Sequence, residues 1–311
     1  MFVPGAGALS ERAGRESFYE RYELPTVALG LLLYACWLAL TWYHASVPGW
    51  LLFLAGGYVT QWHFSLQHES IHGMRNWPVW LRTAFVWPPL GLWMPYPIYN
   101  RSHSTHHVNF NLTHPQRDTE SNYQLQDAWP RFNAMHRAML RLNQTLLVRL
   151  LLGPFLRLYK LGKREIGRLL AGDTSNVRHW LMHVVSVAVV LYWVTGVADM
   201  PLWKYLLCFA YPGMSLGMLR TFIEHRYGTL PMERVAIVQS NMLMGVLFLY
   251  NNIHLVHHQS PTLPWYRIPA RFRASRDQLL ATNGNFYFRG YVQIARRFLF
   301  KPVFDPVHPK W

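Results

Sequence analysis

At 311 residues the chain is long enough for one large domain or two ordinary ones, yet half of it is hydrophobic and only 14% is charged, against about a quarter in a soluble domain. Its 14 Trp, 17 Tyr and 17 Phe suit a membrane protein with aromatic belts at the interfaces. The two cysteines, Cys36 and Cys208, lie inside apolar runs, which argues against a disulfide framework, a thiolate zinc site or an iron–sulfur cluster; the distribution of the net charge of +15 favours a membrane surface over nucleic acid.

Residues 1–23 set Arg12, Arg15 and Arg21 against Glu11, Glu16, Glu20 and Glu23. Without the basic start, apolar core and cleavage site of a signal peptide, they read as a cytoplasmic amphipathic lead-in. An uncharged segment then runs over 24–43 and, after the Pro48-Gly49 turn, a second over 50–67, each close to the roughly 20 residues that cross a bilayer core. This hairpin returns His68 and His72 to the side where the chain began. Residues 77–99 are apolar but interrupted by Pro78, Pro88, Pro89, Pro95 and Pro97, so a surface or re-entrant segment is expected there. A histidine cluster and a polar loop, Asn109 to Tyr123, follow.

Residues 131–168 alternate Leu, Phe and Met with Arg and Lys, a pattern that suits either the lipid headgroup region or a helix packed on the protein with a solvated charged face. Spans at 179–197 and 202–222 form a second hairpin around Ala198-Asp199-Met200-Pro201, with Lys204 expected to snorkel and His225 delivered to the same side as His68. Residues 235–250 are short and contain Gln239 and Asn241, and are expected to form a partly buried or re-entrant helix. The tail from Arg267 is basic. Residues 69–178 hold 14 Lys or Arg against 6 Asp or Glu, and 220–311 hold 12 against 4, whereas the two outer turns carry almost no charge. Positive residues gather on the cytoplasmic side, so both termini and every histidine cluster are expected there. The fold expected is a single all-α integral membrane domain of four transmembrane helices in two hairpins, under a cytoplasmic helical cap that carries a di-metal site.

The cap is expected to carry that site because of three histidine boxes. His68-Glu69-Ser70-Ile71-His72 is followed by His103-Ser104-Thr105-His106-His107 and by His254-Leu255-Val256-His257-His258. Residues three and four apart share a helix face, so HxxHH presents three imidazoles together and HxxxH two. His225, at the end of a span, is a ninth candidate. Neutral imidazole is a common ligand of iron, zinc and copper, and one ion rarely takes more than five or six ligands, so this many rings imply two metals. One such cluster alone arises readily by chance; three in order do not.

These boxes, with His225 between the last two, resemble the membrane fatty acid desaturase and hydroxylase superfamily over nearly the whole chain. The resemblance implies a non-haem centre of two Fe2+ ions at the cytoplasmic membrane face, activating O2 against an acyl chain. Carried over residue by residue, the ligands are His68, His72, His103, His106, His107, His225, His254, His257 and His258. Asn251 or Asn252 is assigned a metal-bound water. Metal-bound histidines usually donate their second N–H to a carboxylate or carbonyl, for which Glu69 and Glu224 are favoured over Asp118 and Glu120, the latter two reading more simply as surface carboxylates. His44, His63, His114, His136, His179, His183 and His308 receive no ligand role, although His63 and His183 fall within spans, where polar residues are functional by default.

Removing hydrogen from an unactivated methylene requires an oxidant that side chains do not supply. Desaturation of a fatty acid or acyl lipid is the first expectation. The first box is the short HxxxH form, shared with alkane hydroxylases and carotenoid-modifying members, so hydroxylation or oxidative decarboxylation to a terminal alkene by the same centre stays open. A membrane metal transporter or receptor is the alternative of another class, but it would place its ligands along a path inside the spans. Lacking an iron–sulfur cysteine set and a cytochrome b5-type haem motif, the chain needs an external electron donor, a ferredoxin or cytochrome b5-like protein with its reductase, and its basic face suits an acidic partner. The location expected is a bacterial inner membrane or the endoplasmic reticulum, with the active site cytoplasmic.

Overall fold

A computed structural model describes residues 17–108 and 112–310. The lead-in over 1–16 and the first residues of the polar loop, 109–111, lie outside the described residues. A short α1 (Phe18–Arg21), closed by a capping box between Ser17 and Glu20, leads into α2 (Leu24–Trp42). After the Pro48 turn, α3 (Gly49–His72) returns as a single helix whose last turn is also the first histidine box.

The proline-rich stretch after it holds only α4 (Val79–Val86) and a series of turns before α5 (Tyr96–Val108) carries the second box. Then come α6 (Ala134–Leu142) and the 25-residue basic helix α7 (Leu146–Leu170). The second hairpin is α8 (Val177–Leu191), prolonged by a π-helical turn to Val197, and a return arm of α9 (Leu202–Tyr205), a π turn (Leu206–Ala210) and α10 (Tyr211–Thr221).

Of these helices, Leu24–Trp42 and Val177–Val197 are long and apolar enough to cross a bilayer, each with a mean hydropathy of 1.8. Their outward rows, among them Leu31, Leu32, Val184, Val185 and Val189, are exposed. The core between the hairpins is built on Leu33, Leu52, Leu66, Leu90, Val194 and Phe209. Inside it, Trp37 donates from Nε1 to the Tyr205 hydroxyl (3.0 Å), which donates to the Leu90 carbonyl (2.8 Å). Lys204 reaches the His44 carbonyl at the outer turn, 2.8 Å away.

Glycine lets α3 and the return arm touch backbone to backbone. A Cβ on Gly56 would stand 2.5 Å from the Cys208 carbonyl oxygen, one on Gly57 2.7 Å from Pro212 Cβ, and one on Gly213 2.5 Å from Thr60 Cγ2. This contact fixes where both arms end, and therefore where His68, His72 and His225 emerge.

Residues 235–250 do not form the helix expected of them. Ile237–Val238 is instead a strand, β1, paired in parallel with β2 (Tyr287–Phe288), and helix α11 covers only Met242–Leu247. Asn241 sets its start, its side chain accepting from Met244 N (3.0 Å), and positive φ at Leu249 and Tyr250 marks its end. The extended piece is the frame of the site: Ala236 N donates to Glu224 O (2.9 Å), Leu255 N to Ala236 O (3.2 Å) and Val238 N to Asn252 O (2.8 Å). It ties His225 to the third box on α12 (His254–Gln259).

Gly57→Val should force α3 off Pro212 and destabilise the fold by about 1–3 kcal/mol, the usual cost of overpacking. Thermal unfolding in detergent is expected to show a lower Tm than the wild type.

Candidate metal centre

The nine histidines of the boxes and His225 come together in two sets. His68, His72, His103, His107 and His257 form one; His106, His225, His254 and His258 form the other; within each, the donor nitrogens all lie within 4.8 Å of one another. Helix geometry explains the division. Residues four apart stay in one set, as in 68/72, 103/107 and 254/258, while His106 and His257, three residues from the start of their boxes, lean into the opposite set. The sets adjoin: the His107 and His258 rings stack at 4.5 Å and those of His106 and His107 are 5.7 Å apart. His68, His103, His106, His254 and His257 are buried, and the other four are half-buried.

The polar partners of the rings decide which nitrogens face inward. His103 Nδ1 donates to Glu120 Oε1 and His106 Nδ1 to Asp118 Oδ1, both at 2.8 Å. His254 Nδ1 donates to Asn251 Oδ1 at 3.0 Å, and Asn251 Nδ2 lies 3.2 Å from His68 Nε2, so one amide touches both sets. With Nδ1 as the N–H, a neutral ring presents its lone pair at Nε2. Those Nε2 atoms converge: His107 on His103 at 3.0 Å, His257 on His107 at 2.9 Å, and His254 on His225 and on His258 at 3.1 Å each. Nε2 of His72 and of His106 is buried with no hydrogen-bond partner. Two lone pairs aimed at one another across 3 Å repel, so each such contact needs either a proton on one of the two nitrogens or a cation between them. Separations below 4.8 Å suit ligands on opposite sides of one ion, given metal–imidazole bonds of roughly 2.1 Å.

Burial first, then mutual repulsion, holds His68, His254, His257 and His258 neutral well below the ordinary histidine range. The same causes bring His72 and His225 down to about 3. His106 runs the other way: burial opposes its charge, but Glu120 and Asp118 raise it to about 9. A cation at its Nε2 would take the place of that proton.

The carboxylates differ from expectation. Asp118 and Glu120, read as surface groups, are buried or nearly so and hold His106 and His103; Thr113 N (2.8 Å) and Glu120 N (2.9 Å) donate to Asp118 in turn. Glu69 instead accepts from Trp265 N at 3.0 Å. Glu224 pairs with Arg220 at 3.1 Å and approaches His254 Nδ1 at only 3.8 Å. Asn252 donates to the Val238 carbonyl at 2.6 Å, away from the rings, so Asn251 is the asparagine that reaches them. Nearness in sequence to the second box was the available signal for Asp118 and Glu120, and it does not give the direction of a loop side chain. His44, His63, His114, His136, His179, His183 and His308 belong to neither set among the described residues.

A family model described as fatty acid desaturase matches residues 41–290, a stretch that holds all three boxes and His225. The chain belongs to the fatty acid desaturase family. No curated protein matches its sequence. The desaturase family is one of membrane-associated oxidoreductases acting on acyl lipids, usually with iron, and the histidine sets of this member could hold metal ions.

Glu69 offers a test of the packing beneath the site. Burial pushes its carboxyl up to about 8, so the protonated form is favoured in the fold. Its contribution to stability is full below the ordinary 4.5 and is lost as pH rises through about 8. In protein stripped of metal by a chelator, Glu69→Gln should therefore melt above the wild type beyond pH 8 and converge with it below pH 4.5, as read by Tm against pH.

Proposed function

We propose that this member of the desaturase family is an O2-dependent di-iron enzyme that oxidises an acyl chain, with desaturation as its first reaction. The observation that carries the reading is the division of nine imidazoles into sets of five and four, the donor nitrogens of each within 4.8 Å of one another. Iron bound by the two sets would supply the O2-derived oxidant that removal of hydrogen from an unactivated methylene demands. The residues match such a centre in donor type and number, since imidazole suits iron and five and four ligands leave coordination positions for O2 and solvent.

The protein's own part is to hold and orient. Asp118 and Glu120 keep the protons of His106 and His103 on Nδ1, fixing both tautomer and ring angle, and Asn251 ties His254 to His68 across the two sets. Leu255 and Val256 within the third box, with Ile253 before it, are buried against Val235 and Ile237 and exclude water from that side. Desaturation takes one hydrogen from each of two adjacent methylenes. Reducing O2 to two waters then requires two further electrons and two protons, for which an external ferredoxin or cytochrome b5-like donor is proposed. The segments 24–43, 50–67, 179–197 and 202–222 are proposed as four spans, with the histidine sets beyond their ends on the cytoplasmic side where positive residues accumulate. Rings that close upon one another, rather than line a path through the spans, favour catalysis over metal transport.

Lipid and fatty acid profiling of a host that expresses the chain should reveal new double bonds, abolished by His106→Ala. Under 18O2 the desaturated product should carry no label. Labelled product would move the reaction to hydroxylation, and an unchanged profile beside normal expression would refute acyl oxidation.

A further inference from the structure

A cleft lies between α3, α7 and α10, with Trp93, Met94 and Tyr99 on its remaining wall and Glu120, the partner of His103, in its lining. The cleft is not the purely apolar channel expected for a hydrocarbon.

Two polar groups in its lining lack partners. Arg157, half-buried on α7, lies over the face of Trp93 with its guanidinium carbon 5.3 Å from the ring centroid. Among the described residues it makes no hydrogen bond, and no carboxylate comes within the 4.0 Å of an ion pair. The other two charges of the cleft are committed, Arg220 to Glu224 and Glu120 to His103. Gln61 is buried, and its Oε1 has no hydrogen-bond partner while its Nε2 donates to Ser65. A cation held flat against an indole, with its donors unspent, is built to receive a planar anion.

We propose that this cleft seats the carboxylate of a free fatty acid, with Arg157 as its countercharge, so that the substrate is the unesterified acid rather than a thioester or an acyl lipid. The inference rests on the acyl-oxidation reading of the adjoining histidine sets and names the substrate class of that site. A carboxylate forms two parallel bonds with a guanidinium, whereas the acyl carbonyl of a thioester or an ester carries no charge to match it.

Equilibrium binding to the detergent-purified, chelator-treated full chain tests this without turnover. The probes are a long-chain fatty acid, its methyl ester and a lysophosphatidate of equal chain length. The wild type should bind the acid roughly tenfold to a hundredfold more tightly than the ester, the size of one hydrogen-bonded charge. Arg157→Gln should bring the two within about twofold, while Arg157→Lys keeps part of the preference, the charge being retained without the planar fork. Tm of each variant reports its folding. Equal binding of acid and ester by the wild type, an undiminished preference in Arg157→Gln, or tighter binding of the lysophosphatidate would each overturn the proposal. Because the assay needs neither metal nor electrons, a protein that selects the acid yet oxidises nothing would refute the proposed function alone, and one that oxidises acyl chains without selecting the acid would refute this inference alone.

Discussion

Nine imidazoles gathered in the interior with their ring nitrogens converging are the constraint on which the rest of the structure depends. His103, His106 and His254 spend Nδ1 on Glu120, Asp118 and Asn251, and Nε2 atoms brought within 2.9–3.1 Å of one another need a proton or a cation between them. Burial keeps most of the rings uncharged, so a second proton on a ring does not meet that need cheaply. A divalent cation in each set would turn the same geometry to advantage.

The scaffold serves this convergence by rigid means. Glycine at 56, 57 and 213 lets α3 and the second return arm meet so closely that the first box and His225 leave the bundle side by side. The strand at 237–238 then holds the His225 segment against the third box, and the loop after α5 is folded back so that Asp118 and Glu120 reach the second. A π turn in the return arm, between Leu206 and Ala210, lies beside the Gly56 contact, an irregularity of the kind that recurs where helices adjust to function.

The helices and the histidine boxes were legible in the sequence because both are periodic. Apolar length placed the helices Leu24–Trp42 and Val177–Val197 to within a few residues, and three- and four-residue spacing brought the box rings onto shared faces. What periodicity cannot carry is direction across a loop. Asp118 and Glu120 looked like surface acids, and only the backbone donors Thr113 N and Glu120 N around Asp118 reveal the loop that turns them inward. Residues 235–250 failed for a related reason: an apolar stretch fits a buried helix or a buried strand equally well, and the choice was made by Asn241, which caps late, and by the pairing of 237–238 with 287–288, fifty residues away. Arg157 was visible only as one cation among many on a basic helix, and its stacking on Trp93 needed the fold.

Anomalous diffraction at the iron edge, from crystals of the purified iron-loaded protein, tests the central claim most directly. Two peaks are expected, one among His68, His72, His103, His107 and His257 and the other among His106, His225, His254 and His258. A single peak, or iron bound away from these rings, would contradict the account.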